Sequence, residues 1–434
     1  MEASFAAACG SFGQKAPILA RSETSSGSPT YIRCILANLS IRSVRNMPPL
    51  STPSRSCAAP RPAPSGQKPL SRARTKKKRK RLGFFKTIGI VFLTAFLLAI
   101  AFLAWFFLTP SGTSLRYRLA DTIITTQHRV WAKYLVGEKG LQERVAAYAK
   151  QFEEMGEERD THQIEQPAAG ADGAGGAEDD QPLTKIETVD GKGYHGYLLT
   201  VRDPKKIRLV VPNKRGKGEK VSSMVERTGA IAGVNAGGFA DPNWKGNGFQ
   251  PIGLVISQGK IFYRDIGMDQ STQIVGLDKN GKMIAGRYSV NELMDLGISE
   301  AVSFSPRIIV NGKGLIKNHS QGWGIAPRTV MGQKEDGSIL FLIIDGRQPG
   351  YSIGADLYDA QQIMLEHGAV IAANLDGGSS TVLVTEGGEI VNKPSTKGGR
   401  YLPTAFLVFE DPSSVSVPNI WEGLTAKDID PSKW

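Results

Sequence analysis

The stretch ANLDGGSSTVLV (Ala373–Val384) places an amide, a carboxylate, two glycines and three hydroxyls between Asn374 and Thr381, directly after the apolar run AVIAA. Three more polar clusters interrupt apolar stretches upstream. GVNAGGFADPN runs an apolar segment into Asn235 and a glycine turn, SPRIIVNGKG carries Arg307, and APRTVMG with FLIIDGRQPGYSIGADL carries Arg328, Asp345, Gly346 and Arg347. Asn392, Pro394, Ser395 and Arg400 follow the last cluster. Singly, such residues are ordinary: Asn-Gly and Asp-Gly pairs make hairpin turns, and an Asn side chain bonds nearby backbone. Their recurrence is not explained that way. ILFLIID and AVIAANLD both run an apolar segment into a carboxylate followed by glycine. Two such strand ends side by side would put Asp345 and Asp376 in one cleft.

Several chemistries are excluded for these clusters. No Lys follows the glycines of DGGSST where a P-loop needs one, no G-x-G-x-x-G opens a helix after a strand, no G-x-S-x-G elbow exposes a serine, and H-E-x-x-H is absent. All three cysteines, Cys9, Cys34 and Cys57, lie near the N-terminus, so the later chain has no thiol nucleophile, thiolate zinc site or internal disulfide. His195, His319 and His367 are far apart and lack metal-ligand spacing. A divalent cation could sit beside carboxylates and a phosphate, yet no ligand spacing compels one, and no cofactor or metal is expected. Carboxylates, amides, hydroxyls and guanidinium groups remain. That set suits a sugar, with Asn, Asp and Ser on hydroxyls, next to an anion held by Arg.

The elements that must position these residues are mostly strands. After Leu183, short apolar runs (YHGYLLTV, IRLVV, IAGVN, IGLVI, TQIVGL, SPRIIV, ILFLIID, AVIAANL, TVLVT, TAFLVF) alternate with Gly-containing turns. Helices are expected at VSSMVERTG and at ADLYDAQQIMLEHG, the latter with Leu357, Ile363 and Met364 inward and Gly368 as its stop. The expected fold class is α+β: a mixed, strand-rich single catalytic domain over 183–412 with few helices, followed by a tail over 413–434.

Thr87–Leu108 is 22 residues without a charge, about 33 Å of helix against a hydrocarbon core of about 30 Å. Residues 84–108 are therefore expected to form a transmembrane anchor, after a disordered basic-ended region over 1–83. RARTKKKRKR (Arg72–Arg81) holds eight basic residues in ten, so the N-terminal side is expected in the cytoplasm and the domain outside it. The run is longer than a signal-peptide core and lacks a small-residue cleavage site. The net charge of +12 is concentrated in that tract, so it describes topology and not a nucleic-acid face. Apolar residues at helical spacing (Val130, Tyr134, Leu135, Leu141, Val145, Tyr148) predict an amphipathic helical spacer over 112–160, and the acidic Gly/Ala stretch PAAGADGAGGAEDDQP predicts a flexible linker over 161–182.

At its polar clusters the sequence resembles the phosphodiester glycosidase family. The matching stretches are NAGGF, SPRIIVNG, PRTVMG, IIDGRQPG, the helix around Ala355–Gly368, NLDGGSST, IVNKPS and GGRYLPTAFLVF, in the family's order over about residues 185–410. The resemblance implies cleavage of a GlcNAc-like sugar from a sugar-1-phosphodiester, and the expected anchor and exterior placement fit cell-envelope or exopolysaccharide material as its source. It implies Arg328 and Arg347 on the phosphate, with Arg307 or Arg400 as further candidates. Asp376 would be base or nucleophile, and Asp345 would position it or bind the sugar. Asn235, Asn374, Ser379 and Ser380 would bind hydroxyl or acetamido groups, and Gly377 and Gly378 would let backbone approach the substrate. Two other functions would use the same residues: a non-catalytic polysaccharide-binding module, and a serine hydrolase with Ser379 or Ser380 and His319 or His367.

Overall fold

The computed structural model describes residues 76–126, 128–164, 181–242 and 246–431, with side chains from residue 83 onward. The expected disordered region up to residue 75, most of the expected linker (165–180) and the last three residues lie outside the described residues. The chain divides into two units, 14–100 and 101–434 apart from the N-terminal residues. Helix α1, Lys76–Leu108, contains one span, Gly83–Leu108, long and apolar enough to cross a membrane. Inside it the hydroxyls of Thr87 and Thr94 donate to the carbonyls of Gly83 and Ile90 at 3.0 and 2.9 Å, so neither leaves an unmet polar group in an apolar stretch.

Thr109 ends α1 and caps helix α2, Pro110–Ile124: its Oγ1 accepts from Gly112 N at 3.1 Å, and Pro110 fills the first position, where no N–H is needed. A 3-10 turn at Arg129–Ala132 leads into helix α3, Lys133–Glu157, which breaks at Gly137 (φ 75°). Ala120, Ile124, Ala132 and Leu141 form a small core between α2 and α3, and a buried Asp121–Arg144 ion pair fastens them.

This segment is not a spacer. Tyr148, Phe152 and Met155, a three-to-four-residue stripe on α3, belong to one apolar core with Ile308, Trp323, Val330 and Leu342. The periodicity was helical as expected; what the sequence lacked was any sign of the surface it covers.

The described strands form three antiparallel sheets. The largest orders 184–191, 194–201, 339–344, 328–334, 369–374, 307–310 and 313–314. A second orders 389–390, 383–385, 232–235, 405–408 and 207–210, and a third 260–264, 254–257, 298–303, 271–278 and 283–289. Ile339–Ile344 and most of Arg328–Lys334 are buried on both faces. Their alternating residues explain why: Met331, Phe341 and Ile343 face the core shared with Leu209, Val234, Leu383 and Phe406 of the second sheet, whereas Val330, Leu340 and Leu342 face α3 and the helix Leu357–Glu366. The class is α+β, strand-rich as expected.

Helix α4, Val221–Thr228, ends on left-handed Gly229, α5 is Val290–Asp295, and α6, Leu357–Glu366, starts with a capping box from Asp356 and Asp359. The expected C-terminal tail is part of the domain. Val417, Ile420, Trp421 and Ile429 are buried in the main core, and Trp421 Nε1 donates to Phe249 O at 2.9 Å.

Candidate active site

The loop after Asn374 crosses from the first sheet to the second, and backbone bonds hold it on both sides. Asn374 N donates to Pro306 O at 2.9 Å, Leu375 N to Thr329 O at 2.8 Å, Asp376 N to Ala236 O at 3.0 Å and Gly378 N to Pro327 O at 2.8 Å. Fully buried Asn235 is the stitch: its Nδ2 donates to Asp376 O, while its Oδ1 accepts from Thr329 Oγ1 and Val382 N, both at 3.0 Å. Every polar atom of that amide is used. Asn235 therefore shapes the loop from beneath and is not among the residues that line the pocket above it.

Above this loop lies a pocket of about 140 Å³. Of the residues singled out in the sequence it gathers Arg328, Arg347, Asn374, Asp376, Gly377, Gly378, Ser379, Ser380 and Arg400. To these it adds Gly238, Phe239, Asp241, Phe304, Trp323 and Ala326 from the domain, and Ile124, Thr125, Thr126 and Arg129 from the helical segment.

Burial raises the Asp376 carboxyl to about 6, further raised by nearby Asp241 and opposed by Ser380, Arg400 and Arg347. Arg347 has left-handed backbone (φ 61°), and its guanidinium makes no hydrogen bond or ion pair with described residues. A Cβ on Gly378 (φ +62°) would stand 3.0 Å from Arg347 Nη2, so glycine is needed there both for conformation and for the arginine's approach. Arg400 donates to Asp241 Oδ2 at 2.7 Å and to Ser379 Oγ at 3.3 Å, and lies over the Phe239 ring. Arg328 is nearly fully buried. Its Nε and Nη2 donate to the carbonyls of Ala355, Trp323 and Gly324, leaving Nη1 without a partner, and burial lowers it to about 10. Asn374 Oδ1 and Trp323 Nε1 are buried and unpartnered.

Besides Asn235, two expected site residues lie elsewhere. Asp345 is 1% exposed and is not in the pocket. Its carboxylate accepts from Asn392 Nδ2 at 2.8 Å and from Lys393 N and Tyr351 OH, both at 2.9 Å. It ties the turns behind Arg347 together. The two carboxylate-bearing strand ends are not neighbours, because Arg328–Lys334 runs between Ile339–Ile344 and Ala369–Asn374. The second pocket carboxylate is Asp241, from the quoted GVNAGGFADPN cluster; its signal was the polar ADPN turn right after the glycines.

Arg307 is the other. Its guanidinium donates to the carbonyls of Met155 (3.2 Å), Ala285 (2.9 Å) and Glu158 (2.6 Å), clamping the end of α3 to the sheets. Arg307→Ala is expected to lower stability by roughly 2–4 kcal/mol, since two buried carbonyls and one part-buried one lose their donor. Urea denaturation checks this, and substrate KM should stay unchanged; a weakened KM at intact stability would return Arg307 to the site.

Among the described residues one group has metal-ligand spacing: His319, Asp356 and Asp359. His319 Nδ1 lies 2.8 Å from Asp356, whose carboxylate also caps α6. It lies outside the pocket.

The pocket thus combines a strand-rich α+β scaffold with acidic and guanidinium groups, and its described lining residues include no Cys or His. Residues 228–409 match the family model of phosphodiester glycosidases. The SPbeta prophage-derived uncharacterized protein YomE of Bacillus subtilis (strain 168) is 28% identical over 181 residues, 40% of this chain and 27% of that protein. The mouse N-acetylglucosamine-1-phosphodiester alpha-N-acetylglucosaminidase is 25% identical over 226 residues, 47% of this chain and 42% of that protein. The chain spans less than half the length of either curated relative. The zebrafish N-acetylglucosamine-1-phosphodiester alpha-N-acetylglucosaminidase catalytic domain, auto-inhibited by its pro-peptide, aligns at TM-score 0.45 and 20% identity, covering 54% of this chain and 86% of that one.

Proposed function

We propose that this protein is a hydrolase that cleaves a GlcNAc-like sugar from a glycosyl-1-phosphodiester. The observation that carries the reading is a carboxyl at about 6 beside an unpartnered guanidinium in one pocket. Ordinary glycoside hydrolysis needs an acid for a poor alkoxide leaving group. A phosphate monoester leaves far more readily, since its charge spreads over several oxygens and its second pKa is only about 6. Arginine can then replace much of the acid's work. Asp376, ionised, attacks C1 or takes a proton from the attacking water. Arg347 and Arg328 Nη1 hold the phosphate. Asn374, Ser379 and Ser380 meet the sugar, and Gly377 and Gly378 keep the backbone close.

In this reading Gly83–Leu108 anchors the protein in a membrane, and the cations before it keep the N-terminal side cytoplasmic. The pocket then faces envelope glycopolymers. The test is incubation of the purified full chain with a GlcNAc-1-phosphodiester and assay of free sugar. Steady release supports the proposal; saturable binding without release refutes the enzyme and leaves a binding module.

A further inference from the structure

The wall that the helical segment adds to the pocket lies outside residues 228–409, which match the glycosidase family. It is firmly built. Ile325 N donates to Thr122 Oγ1 at 3.2 Å. Gly324 (φ +67°) sits so close to α2 that a Cβ would come within 2.6 Å of the Asp121 and Thr122 backbone. Tyr148 OH donates to Ser320 O and Gln151 Nε2 to Gln321 O, both at 3.3 Å, and Phe152 meets the Trp323 ring edge-on at 4.8 Å. The helices hold the loop that carries Trp323 into the pocket, and the turn between them carries Arg129 there.

Arg129 is half-buried and makes no hydrogen bond or ion pair with described residues. Among the described residues no hydrogen bond or ion pair accounts for its position. Its charge does have a consequence. The pocket holds the guanidinium groups of Arg129, Arg328, Arg347 and Arg400 against the carboxylates of Asp241 and Asp376. Among the described lining residues, four cations less two anions leave two positive charges when Asp376 is ionised. A phosphodiester brings one negative charge. When its C1–O bond breaks, the electron pair stays on the bridging oxygen, and the departing monoester carries about −1.5 to −2 at pH 7. In the same step Asp376 loses its own charge, as a glycosyl ester or by taking the water's proton, so negative charge moves from Asp376 onto the phosphate, and a cation facing the departing group is worth more as that charge develops than in the bound substrate.

We infer that Arg129, supplied by the helical segment, binds the leaving phosphate; this rests on the glycosyl phosphodiester reading. Methyl phosphate stands for the monoester and dimethyl phosphate for the diester. Titration of the full chain in detergent at pH 7.5 should give methyl phosphate affinity weakened about 10-fold by Arg129→Ala. Dimethyl phosphate affinity should change less than about 3-fold, kcat should fall about 10-fold, and Arg129→Lys should recover part of both losses. Thermal stability should not change, because the side chain has no hydrogen-bond or ion-pair partner among the described residues. Arg118→Ala, on the exposed side of α2, is the control and should match wild type. Unchanged methyl phosphate binding in Arg129→Ala overturns the inference, and so does a rise in kcat, which would mark Arg129 as a plug. If the wild type binds methyl phosphate through Arg129 but releases no sugar, the anion site stands and the enzymatic reading fails. If the wild type turns over and Arg129→Ala equals it, only the inference fails.

Discussion

Asp376→Asn is expected to lower release of sugar from a glycosyl phosphodiester by on the order of 10²–10⁴-fold while making the folded protein more stable at neutral pH. The two effects have one origin. Burial raises the carboxyl from 3.8 to about 6, so the folded state binds its proton more tightly than the unfolded chain does. The stability this adds is complete below about pH 3.8 and is lost as pH rises through 6. At pH 7.5 the wild type holds a charge that its surroundings disfavour. Asn removes that charge and keeps the shape, for a gain of ~1–2 kcal/mol after allowing for the partial exposure of the group. The gain should shrink toward zero near pH 4. Wild-type activity should rise through pH 6 to a plateau, because base and nucleophile alike need the anion. Denaturation and initial rates across pH 4–8 read all three. A variant that keeps a tenth of the activity, or that is less stable than wild type at pH 7.5, would falsify the assignment of Asp376.

The strands visible in the sequence were those buried on at least one face. ILFLII and AVIAAN are continuous apolar runs because both faces of their sheet are covered. Thr184–Gly191 carries no such signal. Its residues are mostly exposed, and it is a strand because it pairs in register with Tyr194–Val201 along its whole length. Arg328–Lys334 enters the sequence analysis only within the polar cluster APRTVMG and not among the strand runs; pairing on both sides makes it a central strand.

The site was legible as residue types and loops, not as partners. Asp345 and Asp376 have the same local pattern, an apolar strand then Asp-Gly. One is saturated by Asn392, Lys393 and Tyr351, and the other faces the pocket. The strand between them separates the two fates, and strand order is not written locally. Arg307 and Arg347 likewise both adjoin strand ends. The first is consumed by the carbonyls of α3 and a neighbouring strand, contacts that form only when a segment some 150 residues earlier docks. Arg129 and Asp241 were missed for the same reason: each enters the pocket from a segment whose arrival depends on packing far from its own sequence.

Arg347 can be tested by pitting its backbone against its side chain. A non-glycine residue at φ 61° costs about 1 kcal/mol or more, and such strain persists where surroundings impose it. Here Arg347 N donates to Ile353 O at 3.2 Å and Gln348 N to Ser352 O at 2.8 Å, fixing the turn. The guanidinium contributes no bond in return. Arg347→Gly is thus expected to stabilise the fold by roughly 1 kcal/mol, and Arg347→Ala, which keeps the strain, to leave it nearly unchanged. Both should lose activity, by about 10²–10³-fold in kcat/KM, as expected for a preorganised charge facing a developing anion. Arg347→Lys should recover only part, because an ammonium cannot form the two parallel bonds a phosphate accepts. Urea midpoints and steady-state rates on the same three variants separate the possibilities. If the glycine variant is both stabler and fully active, the strained turn has another cause and the phosphate must be held by Arg328, Arg400 and Arg129 without it.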